Sequence, residues 1–168
     1  CMDDEGHGTQ VAGVITQCTP ENVKIQPYKL LDNKGRATMS QVICLVEYIT
    51  ASKDKPDIIN MSLGIFDETD DFYIQLFKKL IDSDITLVAS AGNEHMDARR
   101  SLPACVEECI TVSACSPYNT KMSFSNYGDL IDVTAPGTYV HTSVKGGGYC
   151  ENFDGTSAAA PFVSAAAA

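Results

Sequence analysis

An alternation of short apolar segments with amphipathic helical segments limits the possible folds of this chain more than any other feature. The apolar segments are residues 58–63, 85–90 and 110–114, and the amphipathic segments are residues 39–52 and 70–83. Short segments that are apolar on both faces are typical of strands covered on both sides of a sheet. Strands that alternate with helices predict a parallel sheet with helices on both faces. We therefore predict an α/β fold with three layers, α/β/α, around a mostly parallel sheet.

Shorter segments extend this pattern. Apolar residues at helical spacing after His7 predict a helix. Residues 23–31 are predicted to form a strand, in which Pro27 indicates an edge or an irregularity. Further short strands are predicted around residues 130–133 and 139–144. In sheets of this kind a ligand binds at the carboxyl ends of the strands, so we expect the functional residues there.

Composition excludes several classes of function. The 168 residues include 12 Lys and Arg against 22 Asp and Glu, a formal net charge of −10 at pH 7. This charge argues against nucleic acid or an anionic membrane as a partner. No apolar run is long enough to span a bilayer. No linker or repeat divides the chain, and we predict a single domain over residues 1–168.

The cysteines do not identify a compartment. There are seven, and only Cys105 and Cys109 form a close pair, so the spacing does not fit a zinc site. Free thiols in a reduced compartment and a partial set of disulfides both fit an odd number.

The candidate nucleophile is Ser157, in the turn 154–157 before an alanine-rich helical segment. N–H groups in the first turn of a helix have no intrahelical partner, and the helix dipole is positive there. Negative charge on an attacking oxygen or on a reaction intermediate would therefore be stabilised. Serine also favours the N-cap of ordinary helices. On this segment alone, a nucleophile and a helix cap fit equally well.

A serine hydroxyl needs a base, and His7 is the candidate because histidine transfers protons near neutral pH. His7 lies between two glycines, whereas His95 and His141 lie in a loop and a strand without such surroundings. Asn93 follows a buried strand, where its side-chain NH₂ could donate to an oxyanion. Gly-Asn is also a common turn sequence, so Asn93 alone does not indicate catalysis.

Together these segments resemble the subtilisin-like serine peptidases, the subtilases. The matching motifs are His-Gly-Thr-Gln-Val-Ala-Gly at residues 7–13, Ala-Gly-Asn at residues 91–93 and Gly-Thr-Ser-Ala-Ala-Ala-Pro at residues 155–161. Residues 59–64 are similar to the strand that lines the substrate cleft in this family. Several motifs agree in order and context, which is more specific than a single pattern.

The resemblance implies a serine endopeptidase that forms an acyl-enzyme on Ser157. His7 would be the general base and acid, and Asn93 would stabilise the oxyanion together with the Ser157 N–H. The implied partners are a polypeptide substrate and the protein's own pro-segment. The implied substrate-binding residues form three groups: Ser62, Leu63 and Gly64, Gly35, Arg36 and Ala37, and Ser90, Ala91 and Gly92.

Two features of the family are missing from the sequence. The triad aspartate of subtilases lies on an earlier strand, so we expect it upstream of Cys1 in a longer protein, with this chain a partial catalytic domain. The 168 residues alone are then expected to be inactive or nearly so. Asp3 and Asp4 are expected to lie in a solvated loop. Residues 16–22 contain one carboxylate, Glu21, too few oxygen ligands for the calcium site found after the histidine helix in many subtilases. We predict no calcium there, and no other metal or cofactor.

Substrate preference is not readable from the sequence. Arg99 and Arg100, in the loop after Asn93, could favour acidic substrate residues, but exposed loop arginines usually have no such role.

Two other classes of function are alternatives to an active peptidase. A catalytically inactive subtilase homologue that binds peptides or acts as a regulatory module would have the same fold and cleft. A Rossmann-like nucleotide-binding module would need a Gly-x-Gly-x-x-Gly turn after its first strand. Residues 146–148 are three glycines without that spacing or position. The family resemblance allows an extracellular or cell-surface location, and the odd cysteine count allows a cytoplasmic one.

Overall fold

The structure is a computed structural model that describes residues 3–67 and 69–168. Its α-helices within these ranges are α1 (His7–Cys18), α2 (Met39–Ala51), α3 (Asp71–Ile81) and α4 (Thr156–Ala167), and a 3₁₀ turn covers Ala98–Arg100. The helices predicted over residues 39–52 and 70–83 are confirmed, with ends that differ by at most two residues. None of the described helices is long and apolar enough to cross a membrane.

Local sequence explains where the helices begin. The side chain of Thr38 accepts a hydrogen bond from the N–H of Gln41, whose side chain accepts one from the N–H of Thr38, and this capping box precedes α2. The carboxylate of Asp70 caps α3. By contrast, α1 and α4 begin after Gly6 and Gly155, whose φ angles are +124° and +121°. Glycine is favoured there because a β-carbon disfavours positive φ.

The described strands are β1 (Ile58–Met61), β2 (Ile65–Phe66), β3 (Thr86–Ser90), β4 (Ser101–Leu102), β5 (Ile110–Cys115), β6 (Val133–Pro136), β7 (Val140–Ser143) and β8 (Tyr149–Phe153). The main sheet has the order β1-β3-β5-β6, and all its neighbours are parallel. Two antiparallel pairs, β2 with β4 and β7 with β8, lie outside it. The prediction of a mostly parallel sheet is confirmed.

Successive side chains of β3 belong to two different hydrophobic cores. Leu87 and Ala89 belong to the core that the sheet shares with α2 and α3. Val88 belongs to the core that includes Ala159 and Ala160 of α4. Successive side chains of a strand point to opposite faces, so helices cover both faces of the sheet. The predicted three-layer α/β/α architecture is confirmed.

The prediction of a strand over residues 23–31 is wrong. The structure describes this segment as irregular, and β1, at the edge of the main sheet, pairs only with β3 among the described strands. A strand needs a neighbour for its backbone N–H and C=O groups. Pro27 also lacks an N–H to donate. An apolar pattern alone therefore did not suffice here.

Close packing at Gly13 places α1 against the rest of the fold. A β-carbon at Gly13 would lie 2.4 Å from Oγ1 of Thr142 and 2.8 Å from the backbone nitrogen of Ser143 in β7. Val14 of α1 shares a core cluster with Ala158 of α4. The helix that begins with His7 thus packs against the helix that carries Ser157.

Candidate active site

The candidate residues Ser62, Asn93 and Ser157 meet beyond the carboxyl ends of β1 and β3. Ser62 follows β1, and Asn93 lies three residues after the end of β3. The hydroxyl of Ser62 donates to the backbone carbonyl of Ser157 at 2.9 Å, which fixes the first turn of α4 to this edge of the sheet. These residues therefore come together at the carboxyl ends of the strands, where the sequence predicts the site.

The side chain of Asn93 is oriented by Thr156. Its Oδ1 accepts hydrogen bonds from the backbone N–H of Thr156 at 2.9 Å and from the Thr156 hydroxyl at 3.1 Å. The same hydroxyl oxygen accepts from the N–H of Gly92 at 3.1 Å. These bonds to Oδ1 fix the orientation of the Asn93 amide, and its Nδ2 is the group that can donate to a ligand.

A small space beside Gly155 lies within reach of two hydrogen-bond donors. The point where a β-carbon of Gly155 would stand is 3.5 Å from Oδ1 and 3.6 Å from Nδ2 of Asn93, and 3.7 Å from the backbone nitrogen of Ser157. The Ser157 N–H lies in the first turn of α4, where the helix offers it no acceptor. The Asn93 amide and the Ser157 nitrogen therefore lie close together at the positive end of α4, and a pair of donors at such a place suits an oxyanion.

The hydroxyl of Ser157 donates to the backbone carbonyl of Ser62 at 3.3 Å. This contact is long, since O–H···O bonds are typically about 2.7–2.8 Å, and such a bond is easily exchanged for another. The N-cap of α4 is Gly155, and α4 has no side-chain cap. The alternative in which Ser157 serves as a helix cap is therefore wrong.

His7 is the first residue of α1, and its ring is half-buried. The ring lies edge-on to Phe153, with 5.7 Å between the ring centroids, and Phe153 ends the strand directly before the serine turn. Burial lowers the pKa of His7 below 6.5, and the carboxylates of Glu5 and Asp3 offset this only in part. At neutral pH the imidazole is therefore mostly uncharged and able to accept a proton.

Asp3 holds the start of α1, contrary to the expectation that it lies in a solvated loop. Its Oδ1 accepts from the N–H groups of Gly6 at 2.8 Å and Glu5 at 3.1 Å, and its Oδ2 accepts from the N–H and the hydroxyl of Thr9 at 2.8 and 2.7 Å. Burial would raise the pKa of Asp3, but these hydrogen bonds outweigh it and lower the pKa to about 2. Asp4 is exposed, as expected, and pairs with Lys29.

Two of the three predicted substrate-binding groups lie at this site. Ser62, Leu63 and Gly64 connect β1 to β2, and Gly64 is exposed. Ser90 ends β3, Ala91 is completely buried, and Gly92 has a φ of +103°. The hydroxyl of Ser90 donates at 3.4 Å to the carbonyl of Met61, the residue before Ser62, so the two groups lie near each other.

The third group, Gly35, Arg36 and Ala37, is not joined to the other two by a hydrogen bond or ion pair in the described parts of the chain. The N–H of Gly35 donates to the carbonyl of Asp32, whose side chain accepts from the N–H of Arg36. Arg36 also forms a long ion pair with Asp32, at 3.9 Å. These contacts make a local turn, and the role of the group in substrate binding stays a prediction.

The two arginines of the loop after Asn93 have carboxylate partners. Arg100 makes two hydrogen bonds of 2.8 Å to Asp67, and Arg99 contacts Asp97 at 3.2 Å and Asp129 at 3.0 Å. These contacts fasten the loop, and they favour a structural role over recognition of acidic substrates.

The absence of calcium after α1 stays a prediction, and it rests on the small number of carboxylates in that segment. The helix extends to Cys18, which leaves four residues, 19–22, before the irregular segment, and Glu21 is its one carboxylate. Calcium takes six to eight oxygen ligands. In the described ranges, no three His, Cys, Asp or Glu side chains are grouped as a metal site would require. The described cysteines, residues 18, 44, 105, 109, 115 and 150, are free thiols.

Sequence reasoning missed Asn126. This residue lies between β5 and β6, is completely buried, and forms hydrogen bonds with the loop that contains Asn93. An asparagine between Ser125 and Tyr127 looks like an ordinary turn residue. Its partners are 30 to 35 residues away along the chain, so no local pattern could have revealed them.

Comparisons with known proteins agree with the geometry. The sequence matches the Subtilase family over residues 1–168. An extracellular serine proteinase of Thermus sp. (strain Rt41A) is 37% identical over 171 residues. Subtilisin-like protease 6 of Arthroderma benhamiae is 38% identical over 175 residues. The crystal structure of a cold adapted subtilisin-like serine proteinase has a TM-score of 0.88 and 33% identity.

Each match covers nearly all of this chain but a smaller share of the other protein. The Thermus match covers 99% of this chain and 41% of the relative, and the Arthroderma match covers 96% and 42%. The crystal structure covers 98% of this chain, which in turn covers 60% of that structure. The chain therefore spans about two fifths of the length of the relatives that it matches.

Proposed function

The chain belongs to the subtilase family, and we propose on this premise that it supplies the nucleophile, the base and the oxyanion donors of a serine endopeptidase. The observation that carries the proposal is that the Asn93 amide and the Ser157 nitrogen lie close together, with Nδ2 of Asn93 3.6 Å and the Ser157 nitrogen 3.7 Å from the β-carbon position of Gly155. An acyl-transfer enzyme needs such a pair of donors beside its nucleophile.

In the proposed reaction the Ser157 hydroxyl attacks the carbonyl carbon of the scissile peptide bond, and His7 takes the hydroxyl proton. Negative charge develops on the carbonyl oxygen, which accepts hydrogen bonds from Asn93 and from the Ser157 N–H. His7 then gives its proton to the leaving amine as the C–N bond breaks, which leaves an acyl group on Ser157. Water, activated by His7, attacks this ester and regenerates the serine.

Burial lowers the pKa of His7 and so keeps its ring uncharged at neutral pH, the form in which it can accept the serine proton. For the attack the Ser157 hydroxyl exchanges its 3.3 Å contact with Ser62 for a bond to the imidazole. Catalytic hydrogen bonds are often unformed without substrate and tighten only in the substrate complex. A carboxylate that holds the imidazole in the correct orientation completes the base. We propose that sequence outside these residues supplies it, since the chain spans 41% of its Thermus relative.

A polypeptide is the proposed substrate, bound as an extended strand beside Ser62, Leu63 and Gly64. Gly64 is exposed, so its backbone groups are accessible to such a strand. Ser90, Ala91 and Gly92 would line the pocket for the residue before the scissile bond, and Gly35, Arg36 and Ala37 would approach the substrate from the other side. The protein's own pro-segment would occupy the same cleft. No metal or cofactor takes part in the proposed reaction.

Labelling with a fluorophosphonate tests the proposal, using the polypeptide that contains these residues together with its natural flanking sequence. The expected result is one label per folded molecule, on Ser157, with no labelling of Ser157→Ala and strongly reduced labelling of His7→Ala. Equal labelling of wild type and His7→Ala would contradict the mechanism. A folded protein that binds peptides but takes no label would instead be the inactive homologue.

A further inference from the structure

The loop that carries Asn93 is built around the side chain of Asn126. Nδ2 of Asn126 donates to the carbonyl of Ala91 at 2.8 Å and to Oε2 of Glu94 at 3.1 Å. Its Oδ1 accepts from the N–H groups of Glu94 at 3.1 Å and Met96 at 3.0 Å. These four bonds use both donors and both acceptor sites of the amide, which is completely buried.

Asn93 lies between the residues that Asn126 holds. The backbone N–H of Asn93 donates at 2.7 Å to Oε2 of Glu94, the same oxygen that accepts from Asn126. Thr156 holds the Asn93 side chain from the opposite direction. The position of Nδ2 of Asn93 therefore depends on two anchors, one on its side chain and one on its backbone.

Gly92 shows how closely this loop fits Asn126. A β-carbon at Gly92 would lie 2.3 Å from Nδ2 of Asn126 and 2.7 Å from Oε2 of Glu94, closer than non-bonded atoms can approach. The N–H of Asn126 also donates to the carbonyl of Gly92 at 3.0 Å. The side chain of Asn126 thus fills the space inside the loop.

We propose that Asn126 is a positioning residue for the oxyanion donor Asn93, an inference that rests on the proposed function. It acts by fixing the backbone at Ala91 and Glu94, the residues that precede Gly92 and follow Asn93. Oxyanion bonds form fully only in the transition state, so a misplaced donor lowers kcat and leaves KM nearly unchanged. A displacement of about 1 Å in an active site can cost about 10²-fold in rate.

Asn126→Asp is the informative variant because it preserves size and the two acceptor contacts. It removes both donated bonds and places a carboxylate against that of Glu94 and the carbonyl of Ala91, which repel it. Backbone bonds from His95 to Phe124 and from Tyr127 to Met96 remain, so the segments stay attached. Thr111→Val is the matched control, since Thr111 is 1% exposed and its hydroxyl donates to Ala104, away from this loop.

The test is a double-mutant cycle in the polypeptide with its natural flanking sequence. Asn126→Asp is expected to lower kcat by about 10- to 100-fold with little change in KM. On an Asn93→Ala background the same change should lower kcat by less than about threefold, because the donor it positions is gone. Thr111→Val should have the same small effect on both backgrounds. An undiminished loss on the Asn93→Ala background would overturn the inference and leave the proposed function intact.

A second measurement does not depend on catalysis. In NMR spectra of folded protein, the side-chain amide of Asn93 should lose its single ordered signal in Asn126→Asp and keep it in Thr111→Val. An unchanged, ordered Asn93 amide in Asn126→Asp would also overturn the inference. If wild type cleaves no peptide, the proposed function fails, and the amide signal still decides whether Asn126 positions Asn93.

Discussion

The two sides of the candidate site are held in different ways. The serine side, comprising Ser62, Asn93, Asn126, Thr156 and Ser157, is linked by hydrogen bonds among side chains and backbone from four separate parts of the chain. The histidine side, comprising Asp3 and His7 at the start of α1, is held through the backbone. The structure places the His7 ring nearly perpendicular to the apolar ring of Phe153.

This difference shows which side of the candidate site these residues can hold in place by themselves. Its own residues orient the proposed oxyanion donor Asn93, because Thr156 holds the oxygen of its side chain. Within residues 3–67 and 69–168, no hydrogen bond or ion pair fixes the rotation of the His7 ring, which packs against Phe153 directly before the serine turn. We therefore expect the serine side to be ordered in these 168 residues and the histidine side to need a further group.

The largest expected effects come from removing the reacting groups. Ser157→Ala and His7→Ala should each lower kcat by about 10⁶-fold, the loss known for these two triad members in subtilisin. The double variant should be no worse than either single one, because the two residues act as a unit. Steady-state hydrolysis of a peptide anilide checks this. Multiplying losses would show that the serine and histidine sides act separately.

Removing the oxyanion donor should have the next largest effect. Asn93→Ala should lower kcat by about 10²–10³-fold with little change in KM. Asn93→Asp keeps an oxygen for Thr156 but has no NH₂ to donate, so its loss should be at least as large. Single-turnover acylation rates measure both variants. A change confined to KM would mean that Asn93 binds the substrate and has no role at the oxyanion.

The pKa of His7 tests whether the histidine side is completed by a carboxylate from outside these residues. In the 168-residue chain, NMR titration should give a pKa below 6.5, because burial outweighs the charges of Glu5 and Asp3. Adding the natural flanking sequence should raise it by about 1–3 units, since a carboxylate close to the ring favours the imidazolium. An unchanged pKa would mean that no outside carboxylate reaches His7.

Two glycines of α1 should respond in opposite directions to alanine. At Gly13 the added carbon would collide with β7, so Gly13→Ala should destabilise the fold by about 1–3 kcal/mol. At Gly8 the nearest atom, Oδ2 of Asp3, would be 3.6 Å away, an ordinary contact. Gly8→Ala should therefore stabilise by about 0.5–1 kcal/mol, as alanine does inside helices. Urea unfolding measures both, and equal effects would contradict the close packing of α1 on β7.

An effect of similar size is expected for Asp3 at acid pH. The folded-state pKa of Asp3, about 2, is below its ordinary value of 3.8, so its contribution to stability is fully present above pH 3.8 and is lost as the pH falls through about 2. Asp3→Asn should cost about 1 kcal/mol at neutral pH, as lost helix caps do. It should also flatten stability against pH in that range. Wild type and variant with equal acid sensitivity would exclude this role for Asp3.

Features with a local cause could be predicted from the sequence. β3 and β5 could be predicted because both faces of each strand are covered, so their residues are mostly apolar or small. Residues 23–31 alternate apolar with polar residues over their first half but have no partner strand in the structure, and a single sequence does not contain that information. The two-residue strands β2 and β4 are too short for any periodicity to appear.

The site divides in the same way. His7, Asn93 and Ser157 belong to compact motifs, so the sequence could propose them. Asn126 acts through hydrogen bonds on residues 30 to 35 positions away along the chain, and Asp3 acts on residues two to six positions away. The neighbours of both residues in sequence resemble ordinary loops. Residues that hold the catalytic groups in place are therefore the part of the site that required a structure.

The proposed mechanism requires Ser157 to carry the acyl intermediate of a peptidase, and trapping that intermediate is its most direct test. The polypeptide with its natural flanking sequence is mixed with an activated ester, quenched in acid and mapped by mass spectrometry. We expect one acyl group per molecule on Ser157, formed more slowly in Asn93→Ala and absent in Ser157→Ala. An acyl group on another residue, or hydrolysis that persists in Ser157→Ala, would contradict it.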